Sequence, residues 1–168
     1  RIQNTRELKQ LTELPIIGGI PQAKDNGDDR LVILQNLRSN VAESFRSIRT
    51  NLQFFQDKEA GCETILFTSL HPGEGKTFCS INTAVIIASA GKKVLLLDFD
   101  MHKPKVHKTL KLRADVGLSS YIVGKTTLDE VIIQSEIENL DVIPAGPTPP
   151  NASELVLSSR VNLLFEEL

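Results

Sequence analysis

Residues 68–78 read TSLHPGEGKTF, and this stretch decides the fold expected of the whole chain. The apolar run ETILF precedes it, and an apolar segment closed by Gly91 follows it. Such an order predicts a strand, a tight turn and then a helix. Backbone N–H groups and the dipole at the start of such a helix favour an anion, so the stretch predicts a phosphate-binding loop.

The residue types in this turn suit phosphate chemistry. Gly73 and Gly75 can adopt φ values that other residues avoid, which lets a phosphate approach the backbone. The Lys76 ammonium would reach the β- and γ-phosphates, and the Thr77 hydroxyl would ligate Mg²⁺. The predicted nucleotide-binding residues form one continuous run: Gly73, Glu74, Gly75, Lys76, Thr77 and Phe78.

One position departs from the general G-x-x-x-x-G-K-S/T pattern of phosphate loops. Leu70 stands where that pattern has its first glycine, so the backbone there lacks glycine's conformational freedom. The departure at Leu70 restricts the phosphate-loop families to which the chain can belong, but it does not argue against phosphate binding. The alternative is a glycine turn that carries Lys-Thr by chance, and the strand–loop–helix context argues against it.

Two carboxylates follow a second apolar run. The stretch KKVLLLDFD places Asp98 and Asp100 at the end of a predicted buried strand, and alternation puts both on one side of it. Ligands of open parallel sheets bind at this end of the strands. We predict that Asp98 organises Mg²⁺ with Thr77, and that Asp100 is a base or a second metal contact. Which aspartate takes which role stays open; with Lys76 they are the candidate catalytic residues.

The rest of the chain fits an α/β fold. Helices are predicted over 5–14, 40–55 and 76–90, in short pieces around 105–111, 117–123 and 127–134, and from about Ser159. Strands are predicted at 30–35, 64–69, 92–100 and 140–146. Apolar strands separated by helices predict a P-loop NTPase-like parallel sheet with helices on both faces.

Composition bounds the possible partners and the organisation. The 168 residues carry a formal net charge of -2, which gives no general attraction to nucleic acid or anionic lipid. No apolar run reaches the roughly 18 residues that span a bilayer. We expect residues 1–35 to be an N-terminal linker with a short helix and an extended segment, and residues 36–168 to be the front part of one P-loop domain.

Three motifs in order resemble the catalytic domain of bacterial tyrosine kinases (BY-kinases). They are ESFRSIRTNLQF, TSLHPGEGKT and VLLLDFDMHKP, and the resemblance runs from about residue 5 to the end. It implies ATP with Mg²⁺ as phosphoryl donor and a tyrosine hydroxyl as acceptor. It also implies a cytoplasmic domain of a bacterial inner-membrane protein that regulates capsular and exopolysaccharide synthesis and export.

The same resemblance implies partners. The first motif matches the family's E-x-x-R-x-x-R helix at Glu43, Arg46 and Arg49, which would then be contacts in a ring-like homo-oligomer. Such a ring presents the tyrosine tail of one subunit to its neighbour, and it works with a membrane co-polymerase and export machinery. The alternative is an ordinary solvated helix face with charge pairs three residues apart.

Three features depart from the family pattern. His102 and Lys103 occupy the place where the acidic stretch usually continues to an arginine. The apolar strand ending in Asp, the Walker B element, does not follow the helix near 159–168, and Tyr121 is the only tyrosine. We therefore expect a sheet truncated before that strand, weak or absent kinase activity from this stretch alone, and a packing role for Tyr121.

Two other functions remain open at this point. The first is a nucleotide-switched ATPase of the deviant-Walker class, although that class carries an early loop lysine and this chain has Ser69, Leu70 and His71 there. The second is a non-catalytic ring scaffold of a polysaccharide exporter, with a vestigial nucleotide pocket. Phosphotyrosine formation separates the kinase from both.

Overall fold

The computed structural model describes residues 5–22, 31–36, 38–55 and 62–168. These residues belong to two compact units, residues 1–86 and residues 87–168.

The regular elements described in the first unit are all helices. Its helices are α1 Thr5–Leu11, α2 Val32–Gln35, α3 Asn40–Leu52 and α4 Lys76–Ala88, and a 3₁₀ turn, Gln53–Phe55, follows α3. Ser39 begins α3 as its N-cap, since the Ser39 hydroxyl accepts the N–H of Ala42 at 3.1 Å. The final residues of α4 fall in the second unit. Gly91, with φ of 82°, donates its N–H to Ala88 O at 2.9 Å and ends this helix.

Two strand predictions in the first unit are wrong. Residues 64–69 have no regular secondary structure, and Leu66 is 83% exposed. A strand needs a neighbouring backbone to satisfy its N–H and C=O groups, and among the described residues no strand pairs with this run. Within the predicted strand 30–35, residues 32–35 form α2, and Arg30 lies outside the described residues.

The second unit contains the sheet. Its elements are β1 Val94–Leu97, α5 Val106–Thr109, α6 Leu118–Ile122, α7 Leu128–Val131, β2 Ile133–Gln134, β3 Leu140–Ile143, α8 Ala152–Val156 and α9 Ser159–Glu167. The sheet order is β1-β3-β2, with β1 parallel to β3 from Val94 opposite Leu140 to Leu97 opposite Ile143. Helices and strands alternate along this unit, so the α/β fold class is confirmed.

The prediction of a purely parallel sheet needs correction, because β2 runs antiparallel to β3. Ile133 pairs with Val142, and only residues 135–139 connect the two strands. So short a connection can reverse the chain but cannot cross over to a parallel neighbour, which takes a dozen or more residues. The helical piece predicted over 127–134 therefore divides into α7 and β2.

The core of the second unit forms between the sheet and its helices. Its buried members are Met101, Leu118, Tyr121, Ile122, Val131, Ile143, Ala152 and Leu164. Near this core, α6 lies directly against the segment that follows β3. Leu118 N donates to Pro144 O at 2.8 Å, and Ser119 N donates to Ala145 O at 3.0 Å. A side chain on Gly117 would place its Cβ 2.3 Å from Pro144 O, so the approach requires glycine.

Candidate functional site

The predicted phosphate loop ends in two glycines with left-handed backbone conformation. Gly73 has φ of 89° and Gly75 has φ of 96°, and no atom lies within 4 Å of where either Cβ would stand. Helix α4 begins at Lys76, and its first turn is closed by Cys79 N donating to Gly75 O at 2.8 Å. Lys76 and Thr77 therefore occupy the first turn of a thirteen-residue helix, where N–H groups without intrahelical partners favour an anion.

The side chain of Glu74 folds back over the start of this loop. Its Oε2 accepts the N–H of Leu70 at 3.0 Å and the N–H of His71 at 3.1 Å. Leu70 is the residue that replaces the first glycine of the general pattern. Sequence reasoning placed Glu74 among the phosphate-binding residues, but it did not foresee these bonds, because they depend on the folded path of the loop.

Helix α3 packs against the beginning of α4. Phe45 is fully buried, and its ring centroid lies 5.7 Å from that of Phe78. Further along, Arg49 Nη1 donates to Ile86 O at 3.2 Å. These contacts fix the helix that carries Lys76 and Thr77. Phe78, predicted to bind nucleotide, has the Phe45 ring as its observed partner.

The charged residues of α3 differ in their surroundings. Glu43 and Arg46 form an ion pair one turn apart, with 65% and 32% of their side chains exposed. Exposed pairs of this kind contribute little stability. Arg49, in contrast, uses a guanidinium nitrogen for the bond to Ile86. The three residues therefore do not form a uniform solvated face.

In the second unit, Asp98 is buried and held by the backbone of its own loop. It is 6% exposed; Oδ1 accepts the N–H of Asp100 at 3.1 Å, and Oδ2 accepts the N–H of Val106 at 3.3 Å. The predicted alternation stops at Leu97, where β1 ends, although Asp98 N still donates to Ile143 O at 2.9 Å. Backbone hydrogen bonds, and not strand alternation, orient this carboxylate.

Asp100 continues the same turn. Its Oδ1 accepts the N–H of Lys103 at 3.0 Å, so the acidic stretch orders the residues that follow it. His102 and Lys103, which stand near the family's arginine position, are both exposed. The two aspartates thus organise 98–106 through hydrogen bonds to main-chain donors.

Tyr121 is a packing residue, as the sequence indicated. It is 2% exposed, its hydroxyl donates to Glu167 Oε2 at 3.1 Å, and the Arg160 guanidinium lies 5.2 Å from its ring centroid. Burial raises the pKa of the Tyr121 hydroxyl, and the hydrogen bond and negative charge of Glu167 raise it further, while Arg160 lowers it. A buried and bonded hydroxyl is a poor phosphoryl acceptor.

The raised pKa gives a direct prediction, because Tyr121 is the only tyrosine of the 168 residues. We expect the Tyr121 hydroxyl to ionise above the ordinary tyrosine pKa of about 10 in the native chain. In the chain unfolded in guanidinium, we expect it to ionise at that ordinary pKa. Absorbance of the phenolate near 295 nm reports both titrations. Native and unfolded curves that coincide would contradict the buried placement.

The raised pKa of Tyr121 also makes the free energy of unfolding depend on pH. Because the folded-state pKa lies above the unfolded one, the contribution is complete below the unfolded pKa and is lost as pH rises through the folded pKa. The Tyr121→Phe variant should lack this part of the alkaline decline in the free energy of unfolding. Other groups titrate there too, so the informative quantity is the difference between variant and wild type.

The described ranges contain neither a ready-made metal-binding cluster nor a membrane-spanning helix. Among residues 5–22, 31–36, 38–55 and 62–168, no group of three or more His, Cys, Asp or Glu side chains could hold a metal ion by itself. Within the same residues, every helix is too short or too polar to cross a membrane.

Each unit, taken by itself, carries residues of a type that suits phosphate or Mg²⁺. The space around Gly73 and Gly75 leaves their backbone open to a phosphate, and a lysine and a threonine follow at the helix start. Asp98 offers a hard oxygen ligand whose orientation is already set by hydrogen bonds. Both groups are thus of the chemical type that Mg²⁺ and phosphate require.

Comparison with known proteins finds consistent similarities. A family model described as an AAA domain matches residues 62–161. The putative tyrosine-protein kinase CapB of Staphylococcus aureus is 44% identical over 131 residues, which cover 78% of this chain and 57% of that protein. The chain therefore spans little more than half the length of this relative.

Solved structures agree with the sequence comparison. The crystal structure of the chimerical protein CapA2B2 superposes with a TM-score of 0.86 at 36% identity, covering 98% of this chain and 70% of that one. The kinase domain of the Escherichia coli tyrosine kinase ETK gives a TM-score of 0.87 at 26% identity, covering 99% and 69%. The likeness thus extends over nearly the whole chain.

Proposed function

The chain belongs to the family of bacterial tyrosine-protein kinase domains, and on this premise we propose that it binds ATP with Mg²⁺ and transfers the γ-phosphoryl group to a tyrosine hydroxyl. The observation that carries the proposal is the loop itself. Gly73 and Gly75 both have positive φ, and α4 begins immediately afterwards at Lys76. This arrangement presents main-chain donors and one cation to a polyphosphate.

The loop residues have separate roles. Backbone N–H groups of 73–77 hold the phosphates, and Gly73 and Gly75 supply the positive φ values of this turn with open space where a Cβ would stand. Lys76 binds the phosphoryl group that is transferred and stabilises the charge that develops on it. Thr77 supplies a hydroxyl as a metal ligand. The packing of Phe45 against Phe78 keeps this first turn of α4 in place.

Asp98 and Asp100 act on the metal ion and on the tyrosine hydroxyl that accepts the phosphoryl group. When bound, Mg²⁺ supplies neutralisation of phosphate charge and polarisation of phosphoryl oxygens. Asp98 acts as the metal-organising carboxylate because two main-chain donors hold it in one orientation. Asp100 accepts the proton of the attacking hydroxyl or makes a second metal contact, and its bond from Lys103 N sets its position.

The same family membership supports a wider role. The chain acts as the cytoplasmic part of a bacterial inner-membrane system that regulates capsular and exopolysaccharide synthesis and export. Glu43, Arg46 and Arg49 contribute to a ring-like homo-oligomer in which the tyrosine tail of one subunit reaches its neighbour. Glu43 and Arg46 are exposed enough to exchange their mutual ion pair for contacts with another subunit.

The test is transfer of labelled phosphate to tyrosine. The full chain is incubated with Mg²⁺, γ-labelled ATP and a tyrosine-containing acidic peptide, and the matched control is the same peptide with phenylalanine in place of tyrosine. We expect at most weak label from these 168 residues by themselves, and only on the tyrosine peptide. Hydrolysis of ATP without labelled tyrosine would instead indicate the nucleotide-switched ATPase, and absence of nucleotide binding would indicate the non-catalytic scaffold.

A further inference from the structure

Glu74 is the acidic residue enclosed by the two glycines of the phosphate loop. One carboxylate oxygen, Oε2, accepts hydrogen bonds from the backbone of both Leu70 and His71, at 3.0 and 3.1 Å. The bonds close residues 70–74 into a ring through the side chain. We call this pair of bonds the carboxylate brace.

The brace supplies what the sequence lacks at Leu70. Residues 70–75 form no regular structure, so the backbone donors at the start of the loop have no helix or strand partners. A glycine at the first position would let the chain turn freely, whereas Leu70 is restricted. The side chain of Glu74 satisfies two donors at once and fixes the turn from inside the loop. A glutamine could accept the same bonds without a charge.

The charge of the brace has a second consequence. Glu74 lies next to Gly75 and two residues before Lys76, so its negative charge stands within the loop proposed to receive a polyphosphate. The Glu74 carboxylate and the phosphates of a bound nucleotide are both negative and repel each other, and the repulsion grows with the charge of the nucleotide. Since Mg²⁺ is divalent, a magnesium-bound nucleotide carries two fewer negative charges than the free nucleotide. Glu74 therefore penalises the free form more strongly.

We propose that Glu74 is a positioning and specificity-determining residue, which holds the phosphate loop in its binding conformation and selects magnesium-complexed nucleotide over metal-free nucleotide. The inference rests on the proposed function, because it assumes that the loop binds a nucleotide. It goes further because it gives the Glu74 side chain two roles, holding the loop and discriminating by charge, and neither role needs direct contact with phosphate.

Two substitutions separate the brace from the charge. Glu74→Gln keeps an acceptor for Leu70 and His71 but removes the charge, and Glu74→Ala removes both. The matched control is Glu136→Gln, which neutralises an exposed carboxylate of the second unit. Each full chain is titrated with ADP by calorimetry, once with excess Mg²⁺ and once with a chelator. Thermal melting without ligand confirms that each variant is folded.

We expect the ratio of the Kd for metal-free ADP to the Kd for magnesium ADP to be about three- to tenfold smaller in Glu74→Gln than in wild type. Glu74→Ala should bind both forms more weakly than Glu74→Gln, because its loop is no longer held. Glu136→Gln should match wild type.

Two results would overturn the inference while leaving the proposed function intact. If wild type and Glu74→Gln discriminate equally between the two forms of ADP, charge selection is wrong. If Glu74→Ala binds as tightly as Glu74→Gln, the brace has no positioning role. A wild-type chain that binds neither form would overturn the proposed function itself, and this inference with it.

Discussion

Replacement of Lys76 by methionine is expected to weaken binding of magnesium ATP by on the order of a hundredfold and to abolish phosphotyrosine formation. Lys76 is the first residue of α4 and directly follows Gly75. A charge-assisted hydrogen bond contributes roughly 1.5–3 kcal/mol, and a cation on the transferred group also stabilises the transition state. Methionine is uncharged and one heavy atom shorter than lysine, and it supplies neither interaction.

The measurement is a pair of assays on the full chain: calorimetric titration with nucleotide, and immunodetection of phosphotyrosine on an added tyrosine peptide after incubation with ATP. Lys92→Met is the matched control, because Lys92 is an exposed lysine outside the loop. The control should bind and phosphorylate like wild type. Equal phosphotyrosine in wild type and Lys76→Met would contradict the kinase proposal and would favour the nucleotide-switched ATPase.

The second large effect is expected on stability, from Gly117→Ala. The new Cβ would lie 2.3 Å from Pro144 O and 2.5 Å from Gly146 N, and both are backbone atoms that cannot rotate away. The φ of Gly117 is 175°, which any residue adopts, so the cost comes from lack of space and not from backbone conformation. Relief of the clash must separate α6 from the segment after β3, breaking the bonds of Leu118 and Ser119.

We expect a loss of about 3 kcal/mol in the free energy of unfolding, the upper end for overpacking, and a melting temperature lower by roughly 6–12 °C. Denaturant titration and thermal melting monitored by circular dichroism give both quantities. Gly19→Ala is the control, because its nearest neighbour would be Thr5 Oγ1 at 3.9 Å. Equal stability of Gly117→Ala and wild type would show that the two backbones do not approach so closely.

The sequence was most informative where the signal is local. A glycine pair, a lysine and an apolar periodicity predicted the turn and helix α4, and the structure places its start at Lys76 and its stop before Gly91. Helix α3 followed in the same way from Val41, Phe45 and the polar residues between them. Each of these signals depends on residues within a few positions of one another, which is the range over which side-chain periodicity and capping act.

The incorrect predictions concern strands, which form only where a backbone distant in sequence lies beside them. Residues 64–69 are as apolar as a buried strand, but no described strand pairs with them, and without a neighbour their backbone cannot form a ladder. The strand β2, in contrast, is only two residues long and carries no periodicity, and it exists because β3 lies beside it. Hydrogen-bond partners, and not composition, decided both outcomes.

The candidate site likewise has features that the local sequence predicted and features that only the folded chain decided. From its residue types alone, the sequence predicted a phosphate loop followed by a pair of aspartates, since both motifs are contiguous. The tertiary structure decided that the Glu74 carboxylate bonds to Leu70 and His71, and that Asp98 bonds to Val106, eight residues further on. The physical reason is that a sequence fixes which groups can donate or accept, whereas only the folded path decides which donor meets which acceptor.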